Sequence, residues 1–422
     1  MNTPELPDFL ADNFGIPDTP AETDPTPDYL QRLIEDPDFQ HVERQASILG
    51  STWDKLFISL ERAGSFDDIY LCAEWPIVIK RKKRLYRPRA ALLTQAELES
   101  FIEFKFSTNA NIRLKAPSGE VKDAFEVNPA SDHSLGYAAE VHKDDAERYR
   151  YRLAGSNYLT PNGYRSYRLV ARSLETVPRT FDQLNVCETI RKHCSPRQGL
   201  VIIAGETGSG KSTLCASIVA HLRQLKDDYR IILSYEKPIE YLLHTAPGHN
   251  PVWQHSVGEG EDFATFYDAL VNALRSGPEV IYLGETSDQD TFATLPKIAE
   301  SGHMGLTTLH AKNIPAIFTR FYNEVEPEKA NAVLGNLVTY AELFVVQYLS
   351  QAKDGGIVAV QEILHFTPSL KRRLLKHKGQ ELLEAVGAAV EEEGQSMTAH
   401  ARALFEQGVI SQAALDNILT GV

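Results

Sequence analysis

The sequence is short of cysteine, short of positive charge and without long apolar runs, and each shortage removes a class of protein. Its four cysteines, Cys72, Cys187, Cys194 and Cys215, form no C-x-x-C pair. Neither a disulfide framework nor a zinc ribbon is indicated, and His193 beside Cys194 reads as an ordinary residue next to a reduced thiol. Lys and Arg number 43 against 57 Asp and Glu, a net charge of −14. Binding to nucleic-acid phosphates needs a basic face, so no direct nucleic-acid partner is expected. No apolar run reaches bilayer length and the N-terminus has no signal-peptide pattern, so the expectation is a cytoplasmic protein.

A chain of 422 residues is long for one core and predicts two domains plus tails. Residues 1–45 are acidic and proline-rich, as in PDTPAETDPTPDY, and predict a flexible extension. Ile48, Leu49, Trp53, Leu56, Phe57 and Leu60 recur at helical intervals, predicting a helix over Ser47 to Ala63. DDIYLCAEWPIVIKRKKRLYRPR then reads as two strands across a turn at Trp75-Pro76. A helix from Thr94 to Phe106 follows, with Thr94 and Glu97 as a capping box. The alternation Arg148-Tyr-Arg-Tyr-Arg152 predicts a strand, with Tyr167 to Arg172 as its partner. Residues 46–178 thus form an expected small α+β domain, followed by a linker at 179–184. The basic run Lys80 to Arg84, continuing to Arg87 and Arg89, reads as a solvated strand face.

From there strand and helix alternate, which predicts a parallel sheet wrapped by helices over 185–326. Beyond Pro327 the expectation is a helical C-terminal region, residues 327–422. The strands are Leu200 to Ala204, Arg230 to Ser234 and Val280 to Leu283, with helices over Leu214 to Leu225 and Ala264 to Leu274. Between the first strand and first helix stands GETGSGKST, Gly205 to Thr213, in the spacing of a phosphate-binding loop. Its residues Gly205, Thr207, Gly208, Ser209, Gly210, Lys211, Ser212 and Thr213 are the expected nucleotide contacts. Backbone N–H groups there can wrap a β-phosphate while the helix N-terminus faces it. Lys211 would reach the β- and γ-phosphates, and the Ser212 hydroxyl would hold Mg²⁺.

Three further polar clusters fall where strands should end. Tyr235-Glu236-Lys237-Pro238-Ile239-Glu240 follows one strand, and ligands of parallel sheets bind beyond strand carboxyl ends. One of its carboxylates can orient or deprotonate an attacking water. Val280-Ile281-Tyr282-Leu283-Gly284-Glu285 has the form of a Walker B strand, with Glu285 placed to hold Mg²⁺ or the nucleophile and Asp288 in the same loop. Gly302-His303-Met304-Gly305-Leu306-Thr307-Thr308-Leu309-His310 flanks a strand-like run with two histidines, and an imidazole can sense a γ-phosphate through a hydrogen bond.

With GETGSGKST, YEKPIE, VIYLGE and SGHMGLTTLHA in this order, the chain resembles the ATPases that power type II secretion, type IV pili and type IV secretion, over roughly residues 50 to 415. The tetracysteine zinc module of the type II and pilus-assembly branch is missing. RYRYRLAG, YEKPIEY and MTAHARALFEQGVIS resemble the DotB and TraJ ATPases of type IVB secretion and IncI-type conjugation, with the retraction ATPase PilT as near neighbour. The resemblance implies a PAS-like N-terminal domain, a RecA-like ATPase domain, ATP and Mg²⁺ as ligands, and a homohexameric ring. It further implies machine components as partners and peripheral recruitment to the inner membrane through them. It makes Glu240 the general base, Glu285 the Walker B carboxylate, and His303 and His310 the histidine-box pair. Arg172 is the expected arginine finger, with Arg165, Arg197 and Arg275 as alternatives. Two positions depart from the family pattern: Lys237 stands where a second acid is usual, and Ser287 where an arginine often follows Walker B.

Overall fold

The computed structural model describes residues 26–64, 66–81, 84–106, 108–116, 119–128, 149–258 and 261–421. The acidic stretch before residue 26, Lys82 and Lys83 of the basic run, and Arg148 lie outside them. Two compact units emerge, one comprising Met1–Tyr149 with Leu153–Ser173, the other Arg150–Arg152 with Leu174–Val422.

The first unit opens with helices α1 (Thr26–Glu35), α2 (Pro37–Arg44) and α3 (Thr52–Ala63). The first two correct the expectation of a flexible extension reaching residue 45. Tyr29, Leu33, Phe39 and Val42 are buried, and each such side chain contributes about 1.5–3 kcal/mol. Asp36 caps α2 by accepting from Asp38 N and Phe39 N, which starts a helix where proline content alone suggests none. Strands β1 (Asp68–Cys72), β2 (Val78–Arg81) and β3 (Arg84–Tyr86) follow, one strand more than the sequence predicts. Then come α4 (Gln95–Lys105), α5 (Thr108–Lys115), β4 (Glu120–Val127), β5 (Tyr149–Leu159) and β6 (Arg165–Leu174). The six strands form one sheet in the order β3-β2-β1-β6-β5-β4.

The capping box at α4 is present as Thr94 and Glu97 predict. Glu97 also accepts from Ile48 N at 2.8 Å, tying the segment before α3 to α4. Trp53, Phe57, Phe101 and Phe125 make edge-on and stacked ring pairs at the centre of this core. Members of the basic run find partners within the unit: Lys80 faces Asp68 at 3.6 Å, Arg81 lies over the Tyr29 ring, and buried Arg89 meets Glu43 and donates to Gln45 O. Arg84 and Arg87 are exposed.

The second unit holds α6 (Glu188–His193), β7 (Gly199–Ala204), α7 (Lys211–Gln224), β8 (Ile232–Glu236), β9 (Val252–Ser256), α8 (Phe266–Ser276) and β10 (Val280–Leu283). It continues with α9 (Gln289–Thr294), α10 (Pro296–Glu300), β11 (Met304–Leu309), α11 (Ile314–Glu324) and α12 (Pro327–Tyr340). Strands β12 (Ala341–Gln351) and β13 (Ile357–His365) precede α13 (Pro368–Leu374), α14 (Gly379–Glu393), α15 (Met397–Glu406) and α16 (Gln412–Gly421). The sheet order is β13-β12-β7-β11-β10-β8-β9. All neighbours run parallel except β12 and β13.

Strands β12 and β13 correct the expectation of a helical region beyond Pro327. Helix α12 passes into β12 with no residue between them, so no Gly or Pro marks the change of period. Along β7 the side chains alternate between two cores. Leu200, Ile202 and Ala204 pack on one face of the sheet, Val201 and Ile203 on the other. A strand covered on both faces reads as an unbroken apolar run, which is why Leu200 to Ala204 was recognisable.

Candidate nucleotide site

The parallel register brings several strand ends to one edge. Ala204 pairs with Leu309 across β7 and β11, and Leu283 pairs with both Thr307 and Tyr235. The segments after β7, β8, β10 and β11 therefore emerge side by side, carrying the glycine loop, Glu240, Glu285 and His310. Ligands of such sheets bind at this edge.

The loop has a backbone only glycine supports at two crowded points. Gly205 has φ +148° and a Cβ there would lie 2.3 Å from Gln347 O; Gly210 has φ +82° and its Cβ would lie 2.8 Å from Gln347 Nε2. Helix α7 starts at Lys211, so its first N–H groups open toward the loop. Lys211 Nζ donates to Gly205 O at 3.0 Å and Glu206 O at 2.7 Å. Burial lowers the Lys211 pKa, while the carboxylates of Glu285, Glu240 and Glu206 act in the opposite direction. Ser209 Oγ is buried without a hydrogen-bond partner among the described residues. A glycine loop opening a helix, one ammonium and a buried hydroxyl without a partner among the described residues fit a phosphate chain.

Glu285 sits 3.9 Å from His310 Nε2, both half-exposed. Its loop is pinned to β11: Thr308 Oγ1 donates to Gly284 O at 2.6 Å and Thr286 N donates to Thr308 O at 2.8 Å. Asp288, in the same loop, caps α9 through Thr291 N instead of facing the site. His303 is not brought to the site, which corrects its pairing with His310. It precedes β11 while His310 follows it, and about 3.3 Å per residue over the strand separates them by roughly 20 Å. Its Nδ1 instead contacts Ser301 Oγ and Ile298 O.

Arg172 lies on β6 of the first unit with Nε 2.7 Å from buried Asp68 Oδ1; its own side chain is 66% exposed. Among the alternatives, Arg197 is paired with Asp228 at 2.8 Å, and Arg165 and Arg275 are exposed.

The sequence reading left Glu236, at the end of β8, as one acid of the hexapeptide without a separate role. Its carboxyl accepts from Ser234 Oγ at 2.5 Å and Gln254 Nε2 at 2.9 Å. Gln254 also donates to Tyr241 O, and Tyr241 Oη meets Thr213 Oγ1 at 2.8 Å, so Glu236 is linked to the first turn of α7. Burial pushes the Glu236 pKa up to about 7, against the two hydrogen bonds that lower it. With a folded pKa above the unfolded value, the native state holds a proton that the unfolded chain has lost between about pH 4.5 and 7. Stability from this group therefore falls as pH rises through that window. Glu236→Gln keeps the shared acceptor oxygen and removes the charge. We expect it to stabilise the protein at pH 8 by roughly 3 kcal/mol, at ~1.36 kcal/mol per pKa unit over the rise from 4.5 to about 7, and far less at pH 4.5; equal denaturation midpoint shifts at both pH values would refute this.

Beside Gly210 and Thr213 opens a cavity of about 420 Å³ whose walls include Arg179, Leu214, Tyr241, Leu349 and His400. Its size and mixed apolar and polar lining suit a small-molecule ring system.

A glycine loop joining strand to helix in a parallel sheet, with acidic segments at the neighbouring strand ends, is the arrangement that P-loop nucleotide-binding proteins use. Residues 167–337 match the family described as "Type II/IV secretion system protein". The chain is 33% identical over 244 residues to the type IV pilus ATPase PilU of Pseudomonas aeruginosa, covering 58% of this chain and 62% of PilU. It is 31% identical over 325 residues to the uncharacterised protein YggR of Escherichia coli, covering 77% of this chain and 90% of YggR. The crystal structure of the Legionella pneumophila ATPase DotB superposes with a TM-score of 0.75 at 27% identity, covering 90% of this chain and 98% of DotB. The chain belongs to the type II/IV secretion system protein family, whose matched members include secretion and pilus ATPases.

Proposed function

We propose that the chain hydrolyses ATP with Mg²⁺ as one subunit of a homohexameric ring that drives a type IVB secretion or conjugative machine at the cytoplasmic face of the inner membrane. The observation that carries this reading is the parallel register of β7, β11, β10 and β8, which brings the loop with Lys211 and the segments carrying Glu240 and Glu285 to one edge of the sheet. Lys211 leaves the loop carbonyls to meet the β- and γ-phosphates, and the loop N–H groups hold the β-phosphate. Ser212 and Glu285 would hold Mg²⁺, which would supply charge neutralisation for the phosphoryl oxygens. Glu240 takes the proton of the attacking water, and Glu285 with His310 registers the γ-phosphate and its loss. The cavity beside Thr213 takes base and ribose.

The first unit, in this reading, is the PAS-like domain whose Arg172 completes a neighbouring subunit's site, and hydrolysis rotates it against the ATPase domain. Similarity to DotB over nearly the whole chain supports the secretion assignment; a type IV pilus retraction motor is the second reading, favoured by similarity to the pilus retraction ATPase PilT of Pseudomonas aeruginosa. Phosphate release from Mg²⁺–ATP by the purified chain, followed together with its sedimentation, tests the proposal. Turnover that rises as hexamers form supports it. A monomer at all concentrations with no turnover would leave a scaffold protein.

A further inference from the structure

Strands β12 and β13 were invisible as strands in the sequence, and they carry two buried amides, one touching the phosphate loop and the other touching the first. Gln347 and Gln361 stand directly opposite each other in the β12–β13 register, which brings their side chains within reach on one face. Both are 6% exposed. Gln347 Nε2 donates to Ser209 O at 2.6 Å, and Gln361 Nε2 donates to Gln347 Oε1 at 2.8 Å. The Gln361 backbone is anchored in turn, its N–H donating to His400 Nδ1 on α15 at 3.0 Å and its carbonyl accepting from Gln395 Nε2 at 2.9 Å. Donor meets acceptor at every step, so the direction of each amide is set by the network.

The consequence lies in the peptide between Ser209 and Gly210. A trans peptide points its C=O and N–H in opposite directions. With the carbonyl held on Gln347, the Gly210 N–H is turned to the other side, where Lys211 and the start of α7 open. Gly210 permits that approach, since any side chain there would collide with the Gln347 amide. We infer that Gln347 is a positioning residue for the nucleotide phosphates, aimed by Gln361, and that this pair of amides fixes the Gly210 N–H as a phosphate donor. The inference rests on the nucleotide site proposed above.

Both glutamines also border the cavity beside Thr213, so the test must separate a role toward phosphate from one toward the base. The probes are ATP and inorganic triphosphate, which has no base, titrated by calorimetry in Mg²⁺ into the full chain and its variants. Gln347→Leu and Gln361→Leu should each weaken both ligands by about tenfold, the scale of one hydrogen bond, with thermal midpoints near wild type. The double variant should bind no worse than Gln347→Leu, because Gln361 acts through Gln347. Gln347→Met, of similar length and without polar atoms, gives the same reading if leucine disturbs the strand. Triphosphate affinity equal to wild type in these variants, or losses that multiply in the double variant, overturns the relay. A wild-type chain that binds neither ligand overturns the nucleotide site itself and the relay with it.

Discussion

Glu240→Gln should bind ATP as wild type does and hydrolyse it on the order of 10²–10⁴ times more slowly. That range is the usual contribution of a positioned general base. Glutamine keeps the length and hydrogen-bonding reach of Glu240 but cannot take a proton from water. The competing acids are unequal substitutes. Glu236 is buried and committed to Ser234 and Gln254, whereas Glu285 is half-exposed beside His310. Near-normal single-turnover hydrolysis by Glu240→Gln would therefore move the base to Glu285. A loss of ATP affinity of the same size as the loss of rate would instead make Glu240 a binding residue.

Arg172→Ala should lower turnover by ~10³-fold or more, the typical contribution of an arginine finger, while rings still assemble. Its guanidinium is held by Asp68 through Nε yet remains mostly exposed, so one face is free to meet a ligand. Removing it leaves the buried Asp68 carboxylate facing Lys80 at 3.6 Å, so a modest fall in the thermal midpoint accompanies the loss of rate. The decisive arm is mixing. In the proposed ring, Arg172→Ala subunits supply intact phosphate loops and Lys211→Ala subunits supply intact arginines, so mixed rings should recover part of the activity. Mixed rings with no recovery would return Arg172 to its own subunit or to a purely structural partnership with Asp68.

What could be read from the sequence follows from where physical constraint is local. The phosphate loop announces itself because its glycines, lysine and hydroxyls must stand at fixed spacing between a strand and a helix. Val280 to Leu283 was recognisable because a strand buried on both faces is a bare apolar run, and its bounds are those observed. The capping box of Thr94 and Glu97 is likewise a contact between near neighbours. What was not legible depends on distant partners. Helices α1 and α2 exist because Tyr29, Leu33, Phe39 and Val42 find a core to enter, and no window of their own acidic sequence contains it. Gln347 and Gln361 acquire meaning only when two strands pair and set them opposite each other, with Gln347 against Ser209. The strand-like run between His303 and His310 is legible in the sequence and is observed as β11, so the two histidines stand at opposite ends of one strand.

Calorimetric titration of Mg²⁺–ATP into the wild-type chain and into Lys211→Ala addresses the nucleotide site without depending on any partner. The ammonium faces the loop carbonyls and is the one lysine that α7 presents at its first turn. A charged hydrogen bond to phosphate is worth about 1.5–3 kcal/mol. Wild type should therefore bind saturably and Lys211→Ala about 10- to 100-fold more weakly, with an unchanged thermal midpoint in the absence of nucleotide. Equal affinity in the two proteins, or no binding by either, would contradict an ATP site at this loop.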